Sequence, residues 1–119
     1  MNHLLNFKES PITGKYINVN ENGFRLIQNQ ASWPPNNSNI NIFIFGGSTT
    51  FGYGVSDEQT VPSYLQNYLR QHIIHKKVCV YNFGRGHYYS SQELVLFEKL
   101  LWLGIIPEVV IFIDGLNDF

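Results

Sequence analysis

The sequence predicts an α/β fold in which about three parallel strands form one sheet. Three runs rich in apolar residues, at positions 42–45, 78–81 and 107–113, have the composition of strands that are covered on both faces. Two stretches with helical periodicity alternate with these runs along the chain. Because this order requires crossover connections, we expect right-handed crossovers and helices on both faces of the sheet.

The first 35 residues predict an amino-terminal arm outside the sheet. Within this arm (residues 1–35), two alternating segments at 16–19 and 24–27 flank an Asn-Gly pair, which is a strong signal for a tight hairpin. A tract rich in proline and asparagine follows at 33–39. We therefore expect the main domain to occupy residues 40–119.

Two helices are predicted between the strands. Thr60 supplies a cap for the first helix and Pro62 suits its first turn, whereas Ser90 and Ser91 cap the second helix, which Gly104 ends. The predicted apolar face of the first helix consists of Tyr64, Leu65, Tyr68, Leu69 and Ile73. That of the second consists of Leu94, Phe97, Leu100, Leu101 and Leu103.

Composition narrows the possible functions. The chain has 119 residues and a formal net charge of -1, with no basic stripe for a phosphate backbone, so we expect no nucleic-acid partner. Its one cysteine, Cys79, lies in an apolar run and is interpreted as a buried core residue. No window reaches the roughly 20 apolar residues of a membrane span. As written, the chain is expected to be soluble and cytoplasmic.

The first strand runs directly into a serine flanked by glycines. Gly46 and Gly47 allow a sharp turn, so that Ser48 projects from the carboxyl edge of the sheet, where open α/β sheets bind ligands. Loops containing Gly86-His87 and residues 115–118 follow the other two strands and are predicted to reach the same edge. A catalytic serine needs a base and donors for an oxyanion. Candidate donors are the backbone of Ser48, the backbone around Gly86 and His87, and the Asn117 side chain.

Three segments in this order resemble the conserved blocks of the SGNH (GDSL-like) hydrolases, a superfamily of esterases, lipases and carbohydrate deacetylases. Residues 46–52 resemble the block that carries the nucleophile, residues 82–93 the block whose glycine gives a backbone donor, and residues 115–118 the block whose asparagine completes the oxyanion hole. The resemblance covers roughly residues 40–119, and residues 20–25 resemble a lead-in that some members have.

The resemblance implies a flavodoxin-like, three-layer α/β/α sheet. It also implies a serine ester hydrolase that acts through an acyl-enzyme on a small-molecule or glycan ester, with Ser48 as the nucleophile and Asn117 as an oxyanion donor. No metal or organic cofactor is implied. An acyl transferase with the same site remains an alternative.

The chain departs from the family pattern at two places. The glycine of the second block falls on His87, with Gly86 one place early, so either residue is a candidate backbone donor. No Asp-x-x-His block occurs, and His87 is interpreted as a loop histidine rather than a base. We therefore expect an incomplete, amino-terminal part of a hydrolase that is inactive alone and self-associates through an uncovered sheet edge.

Two other interpretations are considered. Residues 47–50 also resemble the phosphate-binding loop of flavodoxins, which bind FMN, but residues 51–58 are predicted to separate this loop from the next helix. The Gly-x-Asn-Asp sequence has no role in flavin binding. The other interpretation is a catalytically inactive remnant of the hydrolase fold.

Overall fold

The fold is given by a computed structural model that describes residues 13–22, 24–85 and 90–113. The elements in chain order are β1 (Ile40–Gly46), α1 (Ser48–Phe51), α2 (Val61–His72), β2 (Val78–Asn82), α3 (Ser90–Trp102) and β3 (Val109–Ile113). A single 3-10 turn at Asp57–Gln59 lies between α1 and α2. The helix α2 begins where local signals place it, because Thr60 is its N-cap and accepts a hydrogen bond from the Ser63 amide.

The three strands form one parallel sheet in the order β2-β1-β3. β1 is central, with Ile40 opposite Val78 on one side and Gly46 opposite Ile113 on the other. This is the order of the first three strands in a flavodoxin-like sheet, and it confirms the predicted α/β class. The central position of β1 explains its unbroken apolar sequence, since both of its faces are covered.

The two faces of the sheet bury different kinds of side chain. One face is mainly aromatic and packs against α3 and the arm, and its core comprises Phe24, Phe43, Phe45, Cys79, Tyr81, Phe83, Leu96 and Leu100. The other face is aliphatic and packs against α2, with Ile27, Ile42, Ile44, Val78 and Val80 at its centre. Cys79 is a free, fully buried thiol, as predicted. Burial raises the pKa of Tyr81 to about 12, so its protonated hydroxyl donates to the Ser32 carbonyl at neutral pH.

The buried face of α2 differs from the prediction. Tyr64 and Tyr68 are 61% and 59% exposed, whereas Gln66 is fully buried. The Gln66 side chain accepts from the Val80 amide and donates to the Gln28 carbonyl, so it joins β2 to the arm. Hydrophobic periodicity could not show this, because the partners of the buried glutamine lie far away in sequence.

The buried face of α3 also differs from the prediction. Leu96 and Leu100 are buried, while Leu94, Leu101 and Leu103 are 50%, 39% and 61% exposed. The ring contact of Phe97 with Phe45 marks the side that faces the sheet. Because the described sheet has only three strands, it offers a packing surface to one narrow stripe of an apolar helix.

The arm covers the outer edge of β2. The Arg25 backbone amide donates to the Asn82 carbonyl at 3.2 Å, so that these two residues form an antiparallel bridge. A second antiparallel bridge joins Arg25 to Val19 within the arm. The Gln30 side-chain amide donates to the Val80 carbonyl at 3.0 Å, and the Arg70 side chain of α2 donates to the Val78 carbonyl at 2.7 Å. Side chains and one backbone segment thus occupy polar groups that an edge strand would otherwise present to other chains.

The opposite edge of the sheet is open in the described part of the chain. Val109 and Phe112 of β3 are 43% and 40% exposed, and no described segment pairs with the outer side of this strand. Since an open apolar edge pairs readily with another strand, we expect the 119-residue chain to self-associate.

A charged residue on the edge tests this expectation. Val109→Lys should shift the chain toward monomer in sedimentation velocity, because a lysine opposes pairing at a sheet edge. Val61→Lys is the matched control, since Val61 is a similarly exposed valine (46%) on α2 rather than on β3. A monomeric parent chain at all concentrations, or equal effects of the two substitutions, would contradict association through β3.

Candidate functional site

Ser48 lies at the carboxyl end of the central strand. β1 ends at Gly46, and α1 begins at Ser48 after Gly47, which has φ -88° and ψ -148°. Ser48 is half-buried, while Thr49 beside it is exposed. The first amides of a helix have no acceptors within that helix, so they are suited to stabilise a negative oxygen. A hydroxyl and a set of such amides therefore coincide at the predicted edge.

The segment after Ser48 is more ordered than the sequence predicts. As predicted, residues 51–58 separate Ser48 from the helix that follows Thr60, but the sequence does not predict the short α1 at Ser48–Phe51 or the 3-10 turn at Asp57–Gln59. With four residues, α1 has a weaker dipole and fewer aligned amides than a long helix that binds a phosphate.

The glycines around Ser48 allow close packing of backbone. A β-carbon at Gly46 would collide with the Thr50 side chain and would lie 2.8 Å from the Ile113 carbonyl oxygen. A β-carbon at Gly84 would lie 2.9 Å from the Thr50 carbonyl carbon. Neither Gly46 nor Gly47 has a positive φ, so close approach rather than an unusual turn explains the glycine at 46. α1 thus sits directly on the chain that leaves β2.

Polar side chains hold the carboxyl end of α1. Gly52, with φ +92°, ends the helix in the left-handed region. The Asn82 side chain donates to the Thr50 carbonyl at 3.0 Å, and Arg25 donates to the carbonyls of Phe51 and Gly52 at 2.8 and 2.6 Å. The turn that carries Ser48 is therefore fixed by one residue of the arm and one of β2.

Sequence reasoning did not identify these two residues. Asn82 carried a usable signal, because it is a polar residue at the carboxyl end of the apolar run 78–81, where sheets of this class place their sites. Arg25 carried none. Its ion-pair partner, Asp57, is 32 positions away, and an arginine in a hairpin is normally solvent-exposed.

The chain after β2 approaches the same edge. The Phe83 amide donates to the Ile44 carbonyl and the Arg85 amide to the Gly46 carbonyl, at 2.8 and 2.9 Å. Gly86 and His87, which follow directly, lie outside the described residues, as does Asn117 beyond β3. Ser48 is thus the one described member of the candidate site. Its convergence with the other three residues stays a prediction.

The two described histidines lie away from Ser48. His72 ends α2, where its ring nitrogen is 2.9 Å from the Tyr68 carbonyl, and His75 is exposed just before β2. Because both precede β2, they lie at the amino edge of the sheet, opposite Ser48. They are surface histidines, as predicted, and neither is placed to act as a base for Ser48. His3 and His87 fall outside the described residues.

The described ranges contain no cluster of three or more histidine, cysteine, aspartate or glutamate side chains that would hold a metal ion. None of the helices within these ranges has the length and apolar character needed to cross a membrane.

Similarity to known proteins is found among solved structures but not among family models or curated proteins. No protein-family model matches the sequence, and no curated protein matches it significantly. Among solved structures, AlinE4, an SGNH-hydrolase family esterase, is similar with a TM-score of 0.55 and 28% identity. A point variant of the same esterase gives 0.57 and 27%. Each match covers 67% of this chain and 42% of the esterase, so the chain spans less than half the length of its structural relatives. The similarity is a distant one at the level of the fold.

Proposed function

We propose that this chain carries the nucleophile of an SGNH-type serine ester hydrolase. The observation that carries the proposal is Ser48 itself: a half-buried hydroxyl that opens a helical turn at the carboxyl end of the central strand. The sheet order and the structural similarity to SGNH esterases support the same assignment. We also propose that the whole protein, of which this chain gives part, catalyses the hydrolysis of esters.

In the proposed reaction the Ser48 oxygen attacks the carbonyl carbon of an ester. The carbonyl oxygen becomes an oxyanion that accepts from the Ser48 amide, from the amide of Gly86 or His87, and from the Asn117 side chain. The alcohol leaves with the serine proton, and water then releases the acid from the acyl-enzyme. We propose that a segment outside residues 1–119 supplies the histidine that moves these protons and the aspartate that orients it.

The substrate is proposed to be a small-molecule or glycan ester. Tyr53 is 55% exposed and its ring centroid is 4.6 Å from that of Phe51, the last residue of α1. An exposed aromatic ring next to the nucleophile turn (α1, Ser48–Phe51) gives a flat surface on which a sugar or acyl group packs.

A serine-directed fluorophosphonate tests the assignment. Incubated with the full-length protein, it should form one adduct, which peptide mass spectrometry places on Ser48, because the proposed activated serine attacks phosphorus as it attacks an ester carbonyl. Thr49→Ala is the control, since it removes the neighbouring exposed hydroxyl and should leave labelling unchanged. Esterase activity with the adduct on another residue would refute the assignment. Neither labelling nor hydrolysis would favour the inactive remnant.

A further inference from the structure

Arg25 belongs to the arm, yet its side chain is fully buried beside the turn that carries Ser48. A guanidinium stays charged inside a protein and has five donors that need acceptors. Most of the acceptors that Arg25 finds are carbonyls that follow Ser48 in the chain. We infer that Arg25 is a positioning residue that fixes the orientation of α1 and so the place of the Ser48 hydroxyl. This inference rests on the proposed function.

The guanidinium bridges the end of α1 and the turn after it. Nη1 donates to the carbonyls of Phe51 and Gly52 at 2.8 and 2.6 Å, and Nη2 donates to the Val55 carbonyl at 2.6 Å. Isolated helices of one turn are unstable in water because nucleation is costly. The four-residue α1 therefore depends on contacts from outside. Arg25 provides one to its last residue, Phe51, one to its C-cap, Gly52, and one to Val55 in the turn that follows.

Charge favours the same arrangement. The carboxyl end of a helix carries a partial negative charge, which a cation stabilises. The Arg25 guanidinium also lies 5.3 Å from the centroid of the Phe51 ring. Asp57 compensates the buried charge with an oxygen 3.2 Å from Nε, and Asn18 holds this carboxylate through a backbone and a side-chain donor at 3.1 and 2.6 Å.

The backbone of Arg25 ties the same residue to the sheet. Its amide donates to the Asn82 carbonyl, while the Asn82 side chain donates to the Thr50 carbonyl of α1. Arg25 of the arm thus contacts both β2 and α1, and Asn82 of β2 contacts both the arm and α1. Because a reacting group displaced by about 1 Å can lose about 100-fold in rate, loosening this junction should affect the chemistry at Ser48.

Arg25→Met tests the inference, with Arg70→Met as the matched control. The Arg70 guanidinium likewise donates to a backbone carbonyl, from Nε to that of Val78, but at the amino edge of the sheet. In the full-length protein, we expect Arg25→Met to lower kcat for p-nitrophenyl acetate and the rate of fluorophosphonate labelling by about 10- to 100-fold, with little change in KM. Arg70→Met should change either rate by less than about twofold. Arg25→Lys should recover only part of the rate, because an ammonium lacks the planar fork of donors.

Amide hydrogen exchange gives a readout that is independent of catalysis. The amides of Phe51 and Gly52 close the turn on Gly47 and Ser48, at 3.0 and 2.8 Å. In Arg25→Met these two amides should exchange faster relative to the sheet amides, and in Arg70→Met they should not. This selective change is expected even if the protein proves not to be a hydrolase, so the two proposals fail separately.

Three results would overturn the inference. The first is equal exchange at Phe51 and Gly52 in Arg25→Met and Arg70→Met. The second, in a protein that hydrolyses esters, is an equal loss of kcat in these two variants. If Arg25→Met does not fold, Arg25→Lys is compared with Arg70→Met by the same measurements. The third result that would overturn the inference is then an Arg25→Lys protein whose exchange and rate equal those of the parent protein.

Discussion

Ser48→Ala should reduce ester hydrolysis by the full-length protein by a factor of at least about 10⁴. Without the hydroxyl no acyl-enzyme forms, and only the oxyanion donors and substrate binding continue to accelerate attack by water. The loss should appear in kcat rather than in KM, because the hydroxyl forms its bond after the substrate has bound. Initial rates with p-nitrophenyl acetate measure both constants.

The comparison variant for this experiment is Thr49→Ala. Thr49 is exposed on the same turn, so its replacement removes a neighbouring hydroxyl without removing the proposed nucleophile. Its rate should stay within about twofold of the parent protein. Unchanged turnover in Ser48→Ala would remove this residue from the mechanism.

Gly84→Ala should destabilise the fold by about 3 kcal/mol, the upper part of the range for overpacking a dense interior. The added β-carbon would lie 2.5 Å from the Phe51 amide nitrogen, 2.9 Å from the Thr50 carbonyl carbon and 3.0 Å from the Asn82 side-chain oxygen. The two closest of these contacts are with backbone of α1, so relief requires the whole turn that carries Ser48 to move. Urea unfolding followed by circular dichroism measures the change in free energy of unfolding.

Gly54→Ala separates this steric effect from the general cost of replacing a glycine. Gly54 has φ +86°, but a β-carbon there would meet nothing within 4 Å. Its replacement carries only the strain of a left-handed conformation, about 1 kcal/mol. A Gly84→Ala protein that is as stable as Gly54→Ala would show that α1 does not pack on Gly84 as closely as described.

Signals that depend on neighbouring residues in the sequence predicted much of the fold. The strand at residues 42–45 is apolar throughout because both of its faces are buried, and Thr60 with Pro62 marks the start of α2 by local capping chemistry. The faces of the helices were predicted less well. Tyr64 and Leu94 fit a helical stripe, but the narrow sheet leaves both of them exposed.

In the candidate site, too, local sequence signals predicted one part and the tertiary fold determines the rest. The position of Ser48 follows from the end of an apolar run, which is a local signal. The support for its turn comes from Arg25 and Asn82, whose hydrogen bonds to Phe51 and Thr50 span 26 and 32 positions. Pairing of this kind depends on the tertiary fold, so neither spacing nor periodicity could indicate it.

The hydrogen bonds between the arm and β2 restrict where further strands can join this sheet. With the outer side of β2 occupied by Arg25, Gln30 and Gln66, any additional strand, from this chain or another, has to join beyond β3. During translation the arm, β1 and β2 all emerge before α3, so the occupied side can form while the other is still being synthesised. Assembly of the sheet would then be vectorial: it would start at β2, whose outer side is occupied, and strands would be added only on the side of β3.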